Sequence, residues 1–502
     1  MKRSNFFMPM RREKAVGENS RSGEYLERMG MVAKVGAGIY THLPAAYQLF
    51  QNVRATLSSH LLRAGCSEHQ FPAIQPLNIW KESGRFETFG NIMFSFRDQH
   101  DKEVCLAPTH EVLAALTAKQ FIRSYRDMPV RISQIQTKFR DETRPRGGLM
   151  RTREFTMQDL YSFDTGQETA EISYALIREA YEQTLIDLRL PFVVKEQTDM
   201  GSIGGVKSHE FHVLSDSGED TYVEPESGRE AKSIEVAHIF MLGDRYTKPV
   251  KACYVDRDGS SKEVFMCSFG LGIERTVAAY LEHYLEDGRD LLWPWSLAPY
   301  KVMILGAEHP EATELYVRLN AAGYDAMIDD RRGIPFKQQL KEGMMMGLPI
   351  YIIFGRQFES EEKVEVKSQL LGTTNFLDLD DVVHHVEELR SEIRDIELVR
   401  MSFDILRVDR GSKKVYVKLK EPSQLDNSFC RRVERGTDLL GNFGNRKKLS
   451  GTMFLKAGQY WIAPVMQLQG SETQVRSYKD VPYILTPSIT DAGLEETMAA
   501  LR

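Results

Sequence analysis

The sequence has no uninterrupted apolar run approaching the ~18 residues that a membrane-spanning helix needs. Its first residues, MKRSNFFMPMRREK, are basic but lack the apolar stretch of a secretory signal, so no leader is expected. Cysteine is scarce: Cys66, Cys105, Cys253, Cys267 and Cys430 make no C-x-x-C pair and have no matched histidine spacing. That argues against a zinc site and against a disulfide framework, and an odd, dispersed set suits a reducing, cytosolic compartment. There is no low-complexity tract and no internal repeat, which sets aside disordered chains and solenoids. Neither a Walker A loop nor a G-x-G-x-x-G is present, so neither familiar nucleotide-loop label applies.

What is present is the composition of a soluble globular protein, 42% hydrophobic and 27% charged. At about 150 residues per domain, a chain of 502 residues divides into roughly three. The net charge of −6 conceals an asymmetry: residues 401–502 carry 16 Lys and Arg against 11 Asp and Glu. Lys413, Lys414, Arg431, Arg432, Arg446, Lys447 and Lys448 cluster there. A basic appendage on an acidic body fits a polyanionic partner, and equally a solvated face of a small domain.

Along the chain, residues 43–64 have helical apolar spacing and stop at Gly65. The run RISQIQTKF at 131–139 and the run LMRTREFTMQDLYSF at 149–163 read as two strands joined by the basic loop TRPRGG, an antiparallel hairpin. Residues 167–190 read as an amphipathic helix, and 211–266 as short strands. At 264–283 a buried strand runs into a helix, with Gly270 and Gly272 at the joint. From 299 to 397, strand and helix patterns alternate, which predicts a small α/β domain with a largely parallel sheet. The last ~100 residues, about one small domain's worth, read as short strands and turns.

Four segments carry polar residues of the kind that make chemistry. Arg140 and Glu142 end the first strand of the hairpin, and Arg151, Thr152 and Phe155 follow the basic loop. Arginine can clamp phosphate and carboxylate bidentately, and an aromatic ring can stack on a base. The strand-to-helix joint carries Arg275, placed to meet a phosphate. Thr109 and Glu111 stand in a short loop before a helix, where Thr109 could equally be an N-cap with Glu111 in the first turn. The run GSIGGVKSHEF, 201–211, brings backbone close to a ligand beside His209, or is a glycine-rich surface turn.

Taken together, these segments resemble motifs 2 and 3 of class II aminoacyl-tRNA synthetases, with 65–90 resembling motif 1. More narrowly, QIQTKFRDETRPRGGLMRTREF, APTHE, GSIGGVKSHEF, EVAHIFMLG and IDDRR resemble the bacterial-type prolyl-tRNA synthetases over residues 1–395. The resemblance implies an α+β catalytic domain with an antiparallel sheet at 1–298. After it come an α/β anticodon-binding domain at 299–397 and a small β-rich, basic extension at 398–502. It implies that ATP is held by Arg140, Glu142, Arg151, Thr152, Phe155 and Arg275, with Arg140, Glu142 and Arg275 as the catalytic set. Proline would be read by Thr109, Glu111, Arg140, Met157 and His209. Asp329, Asp330, Arg331, Arg332 and Lys337 are candidates for contact with tRNA(Pro). Mg²⁺ is implied with the triphosphate, without assigned ligands, and a homodimer is implied through motif 1.

The sequence also departs from that family. No editing insertion interrupts the stretch between the two motifs, Gln158 stands where a lysine is common, and FKQQLKEGMMMG lacks the usual acidic residues. The extension matches no module of the family, and RNA binding or docking of a protein partner are its expected roles. A paralogue that activates proline or an analogue and delivers it to another acceptor is the alternative reading.

Overall fold

The computed structural model describes residues 1–11, 20–197, 203–223, 228, 230–285 and 291–394, and the strand backbones 402–409, 414–419, 449–456 and 459–468. The chain divides into one compact unit, 1–308 with 325–349, and a second, 309–324 with 350–502. Cys430, the basic cluster 431–448 and the start of the glycine-rich run at 201–202 lie outside the described residues.

The first unit is organised by a mixed sheet of eight strands. Helix α1 (Arg21–Arg28) and helix α2 (Pro44–Arg63) precede it. Pro44 sits at the start of α2, where its missing N–H costs nothing, and the helix ends at Arg63, with Ala64 between it and Gly65. Next come β1 (Ser67–Glu68), helix α3 (Glu111–Phe121), β2 (Val130–Phe139), β3 (Glu154–Asp164) and helix α4 (Gln167–Asp187). After them lie β4 (Val193–Gln197), β5 (Lys207–Leu214), β6 (Asp220–Val223), β7 (Glu230–Gly243), β8 (Phe265–Gly272) and helix α5 (Ile273–Tyr284). The strand order is β1-β2-β3-β8-β7-β5-β4, with β6 on β7. Every pair is antiparallel except β1 on β2.

The expected hairpin is β2 and β3, in register from Val130↔Phe163 to Phe139↔Glu154. Its second strand begins at Glu154 rather than near 149. Gly147 and Gly148 both take positive φ (65° and 57°), and 148–150 form a 3-10 turn. Only glycine adopts that conformation in succession cheaply, so the basic loop folds over before the strand can start. The region read as short strands instead holds the 14-residue β7, which has sheet partners along both edges.

Strand alternation divides the sheet into two faces. Toward one face point Leu160 of β3, Phe211 of β5, Ile239 of β7 and Phe269 of β8, all fully buried, with Tyr174 and Tyr181 of α4 against them. On the other, Tyr161, Phe163, Phe240 and Met266 join Trp80, Phe89, Val112 and Ala115 in one apolar cluster. The open part of this second face holds the site described below.

In the first unit, β9 (Val302–Leu305) pairs in parallel with β10 (Ala326–Ile328), and Ile328 also bridges Lys2. In the second unit, β11 (Ile350–Ile353), β12 (Val364–Ser368) and β13 (Thr373–Leu377) pair antiparallel. The largely parallel sheet expected for 299–397 is therefore corrected. A parallel return needs a crossover of a dozen or more residues, and the chain between Ile353 and Val364 is too short for one. Strands at 402–409, 414–419, 449–456 and 459–468 form a four-stranded antiparallel sheet, as the strand-and-turn pattern of the extension predicted.

Candidate active site

β2, β3, β7 and β8 floor a pocket lined by Thr109, Glu111, Arg140, Glu142, Arg151, Thr152, Phe155 and Met157, with Glu235, His238, Ser268 and Arg275. Residues from four distant sequence segments meet there because β8 inserts between β3 and β7. That pairing sets Gly270 opposite Asp159 and Gly272 opposite Met157. A Cβ on Gly270 would lie 3.4 Å from the Met157 sulfur, in van der Waals contact with it.

Two guanidinium groups dominate one end. Arg140 lies at the end of β2, its Nε donating to the Pro108 carbonyl at 3.2 Å and its Cζ 5.2 Å from the centre of the Phe155 ring. Arg275, in the first turn of α5, donates from Nε to the Met150 carbonyl at 2.8 Å and from Nη1 to the Glu235 carbonyl at 3.2 Å. Burial, and then the Arg275 charge, push the Arg140 guanidinium below its ordinary value, but an arginine stays charged in any such setting. Among the described residues neither forms a salt bridge. Two neighbouring guanidiniums held by carbonyl acceptors make a preformed anion site. Arg151 is different: its Nε and Nη2 clamp Glu142 Oε2 at 3.0 and 2.8 Å, and its Nη1 reaches Glu219.

The other end is built around Glu111, a carboxylate 4% exposed. Thr109 Oγ1 donates to one oxygen at 2.5 Å and Ser268 Oγ to the other at 3.0 Å. Thr109 is therefore not an N-cap: α3 begins at Glu111, and the hydroxyl serves the carboxylate instead. Beneath lies a buried polar network. Asp159 accepts from Lys138 Nζ at 2.6 Å, Gln134 Nε2 at 2.8 Å and Tyr161 Oη at 3.0 Å. Burial lowers Lys138 from its ordinary value, and the Asp159 charge works against that. His110, on the same loop, is pushed down to about 4, chiefly by burial and then by Lys138, which keeps its ring neutral.

His209 is not part of the pocket. On β5 it lies opposite Ile239, and its Nδ1 pairs with the Tyr174 hydroxyl of α4 at 2.7 Å. The parity of the β5–β7 pairing turns it to the helix-covered face. Gln158 also faces away, donating to Ser133 Oγ at 2.9 Å and accepting from Tyr181. The pocket instead receives Ser268, Glu235 and His238, which the sequence reading did not single out. The segment EVAHIFMLG contained the signal, but the strand phase was needed to use it.

Among the tRNA candidates, Asp330 accepts from Ser4 N and Ser4 Oγ, both at 2.8 Å. Arg331 is bidentate on Asp329 and donates to Glu342 at 2.7 Å. These side chains hold the turn together. Arg332 and Lys337 stand exposed beside them.

A family model for the tRNA synthetase class II core domain (G, H, P, S and T) matches residues 94–284, and one for an anticodon binding domain matches 301–389. The proline–tRNA ligase of Wolbachia pipientis wMel is 32% identical over 427 residues, covering 77% of this chain and 99% of that one. The chain belongs to the proline–tRNA ligase family. The ligase of Anaplasma phagocytophilum is 33% identical over 427 residues, covering 77% of this chain and all of its own length (100%). For Rickettsia prowazekii the identity is 32% over 431 residues, with 77% and 99% covered. The fold is that of solved prolyl-tRNA synthetase structures from Cryptosporidium parvum, one complexed with halofuginone and AMPPNP and one with L-proline and AMP. They give TM-scores of 0.64 and 0.63 at 19% identity, over 74% of this chain and 75% of those chains. A class II aminoacyl-tRNA synthetase of this family uses ATP, and the pocket lies within the matched core. In the described residues no helix is long and apolar enough to cross a membrane.

Proposed function

We propose that this chain activates L-proline with ATP in the pocket above and transfers the prolyl group to the 3′ end of tRNA(Pro). The observation that carries the reading is the pairing, in one pocket, of two guanidiniums that form no salt bridge among the described residues with a buried, doubly hydrogen-bonded carboxylate. Triphosphate belongs at the first pole and a secondary ammonium at the second.

Arg140 would bridge the α-phosphate and the proline carboxylate, Arg275 would meet the γ-phosphate, and Phe155 would stack on adenine. Glu142, with Arg151 and Thr152 beside it, would contact the nucleotide. Glu111 would take the prolinium nitrogen, aimed by Thr109 and Ser268, with Met157 against the ring. The proline carboxylate then attacks the α-phosphorus, pyrophosphate leaves, and the terminal ribose hydroxyl of tRNA takes the prolyl group. Positioning and fixed charge supply most of the rate, with no dedicated protein base.

Mg²⁺ is the counter-ion such a triphosphate brings, and it neutralises phosphate charge. The residues fit it: burial acts to raise Glu235, but hydrogen bonding to His238 and the surrounding positive charge hold it down at about 2. An ionised carboxylate of that kind suits a hard cation.

Arg332 and Lys337 are the proposed tRNA contacts of the second matched region, with Asp330 and Arg331 shaping their turn. A homodimer is proposed through the segment after α2, where Ile74 and Phe96 are 55% and 47% exposed. The basic extension is proposed to bind RNA or a protein partner. The four described free cysteines fit a cytoplasmic location.

Proline-dependent exchange of pyrophosphate into ATP tests the reading, followed by charging of purified tRNA(Pro). Exchange without charging would favour an acceptor other than tRNA. No exchange with proline would end the assignment.

A further inference from the structure

Helix α5 carries Arg275 in its first turn and Glu282 in its last, seven residues on. Seven residues are two helical turns, so the two side chains leave the same face of α5, about 10 Å apart along its axis. Glu282 is fully buried, and the mechanism above does not use it. Its Oε1 accepts from Ser22 N at 2.8 Å and from Ser22 Oγ at 2.6 Å, while Arg21 Nη1 donates to the Glu282 carbonyl at 3.1 Å. Ser22 belongs to the first turn of α1, whose amides have no partner within the helix, so this carboxyl group caps α1 from another helix. Ser20 caps the same end locally, accepting from Gly23 N at 3.1 Å.

What α1 then holds is the 148–150 turn. Gly148 packs against it so closely that a Cβ there would lie 2.9 Å from Gly23 Cα and 3.3 Å from Ser20 Oγ. The same turn presents the Met150 carbonyl to Arg275 Nε at 2.8 Å, and Met150 N closes it on the Gly147 carbonyl at 2.9 Å. Helix α5 therefore meets this turn twice: directly from Arg275, and from Glu282 through Ser22 and Gly23. Arg151 and Thr152, on the wall of the pocket, follow at once in the chain. Glu282 Oε2 is buried with no hydrogen-bond partner among the described residues. A half-satisfied carboxyl group is a costly fastening, because burial strips its water without a replacement bond. Its directional bonds do what a hydrocarbon could not: they fix Ser22, and hence Gly23, at one place against Gly148.

We infer that Glu282 is a positioning residue for nucleotide binding. By docking α1 on α5 it sets the 148–150 turn, and with it the carbonyl that aims Arg275 and the backbone leading into Arg151 and Thr152. This role rests on the reading above of Arg275, Arg151 and Thr152 as ATP contacts. Glu282 itself does not line the pocket, so it acts only through the turn. Its effect falls on the nucleotide pole. At the amino-acid pole Thr109, Glu111 and Ser268 are held by bonds among themselves, none of which runs through α1.

The test compares full-length Glu282→Leu, which removes the acceptor at similar volume, with Glu282→Gln, which keeps an acceptor oxygen. Ser22→Ala, which removes only the hydroxyl donor, replaces the leucine variant if circular dichroism melts show that one unfolded, and should change both readouts in the same direction. Hydrogen–deuterium exchange of the peptide spanning 147–153 in substrate-free protein reads the turn itself. Pyrophosphate exchange with ATP and proline varied separately reads the consequence. In Glu282→Leu the 147–153 amides should exchange at least about tenfold faster, and the KM for ATP should rise at least about fivefold, with the KM for proline within about twofold of wild type. Glu282→Gln should recover most of both changes. Unchanged amide exchange in a folded variant, no rescue by glutamine, or equal losses for ATP and proline overturns the proposal. Faster amide exchange with an unchanged KM for ATP refutes the link from the turn to the nucleotide. If the native protein itself shows no proline-dependent exchange, the ATP reading falls, and amide exchange alone then decides whether Glu282 holds the turn.

Discussion

Glu111 receives two hydroxyl hydrogen bonds, from Thr109 and Ser268, and this arrangement yields the sharpest quantitative prediction. Ser268→Ala removes one donor while keeping the backbone pairing of β8, and Thr109→Val removes the other at nearly constant volume. Each bond reaches a buried carboxylate, 2.5 Å long from Thr109 and 3.0 Å from Ser268. Hydrogen bonds to charged groups contribute about 1.5–3 kcal/mol. At ~1.4 kcal/mol per tenfold, that is a loss of roughly 10- to 150-fold in kcat/KM for proline. The assay is pyrophosphate exchange with proline and ATP varied separately. The loss should fall on proline, with the KM for ATP within about threefold of wild type. Because both hydroxyls orient one carboxylate, the double variant should lose less than the sum of the single losses. Equal losses for proline and ATP, or strictly additive effects, would refute the view that these hydroxyls aim Glu111 at the amino acid.

Four further outcomes follow from the structure and the sequence. Lys138→Met leaves Asp159 buried without its cation and should cost about 3–5 kcal/mol in urea unfolding; a loss below ~1 kcal/mol would show the pair to be expendable. Burial raises Glu274 to about 7, although its carboxylate accepts from Thr156 N at 2.9 Å. A raised folded-state value contributes stability below the ordinary 4.5, which is lost as pH rises to about 7. Glu274→Gln should therefore flatten that slope in melts taken across this window, and an unchanged slope would contradict it. Removing the charges of Arg332 and Lys337 should raise the KM for tRNA and leave proline-dependent exchange intact, as read by charging and exchange side by side. With no editing insertion, and only ~1–3 kcal/mol of discrimination per methylene, the protein should form alanyl-tRNA and deacylate it poorly, measured with labelled alanine.

Local patterns made much of this legible in the sequence. The hairpin of β2 and β3, the helix 44–63 and the joint of β8 and α5 follow from apolar spacing and from glycine at the turns. Arg140, Phe155, Glu111 and Arg275 were found by residue type and order. What the sequence withheld is phase. His209 was expected in the proline pocket, yet the parity of β5 against Ile239 turns it to Tyr174. His238 and Glu235 became neighbours only through a bulge at Val236, where the β5–β7 register shifts, which no spacing rule announces. Asp330 and Arg331 looked like free charges for tRNA, and long-range partners, Ser4 and Glu342, occupy them. The parallel pairing predicted beyond residue 299 holds for β9 on β10, but the strands after residue 353, which the strand–helix pattern did not place, return antiparallel.

The central claim is that Arg140 and Arg275 hold the triphosphate while Glu111 holds proline in one pocket. The most direct measurement is ATP–pyrophosphate exchange across the amino acids, for the native protein and for Arg140→Ala. The account predicts exchange driven by proline, weakly by alanine, and abolished by the substitution. Exchange driven by another amino acid, or near-normal proline-dependent exchange in Arg140→Ala, would contradict it.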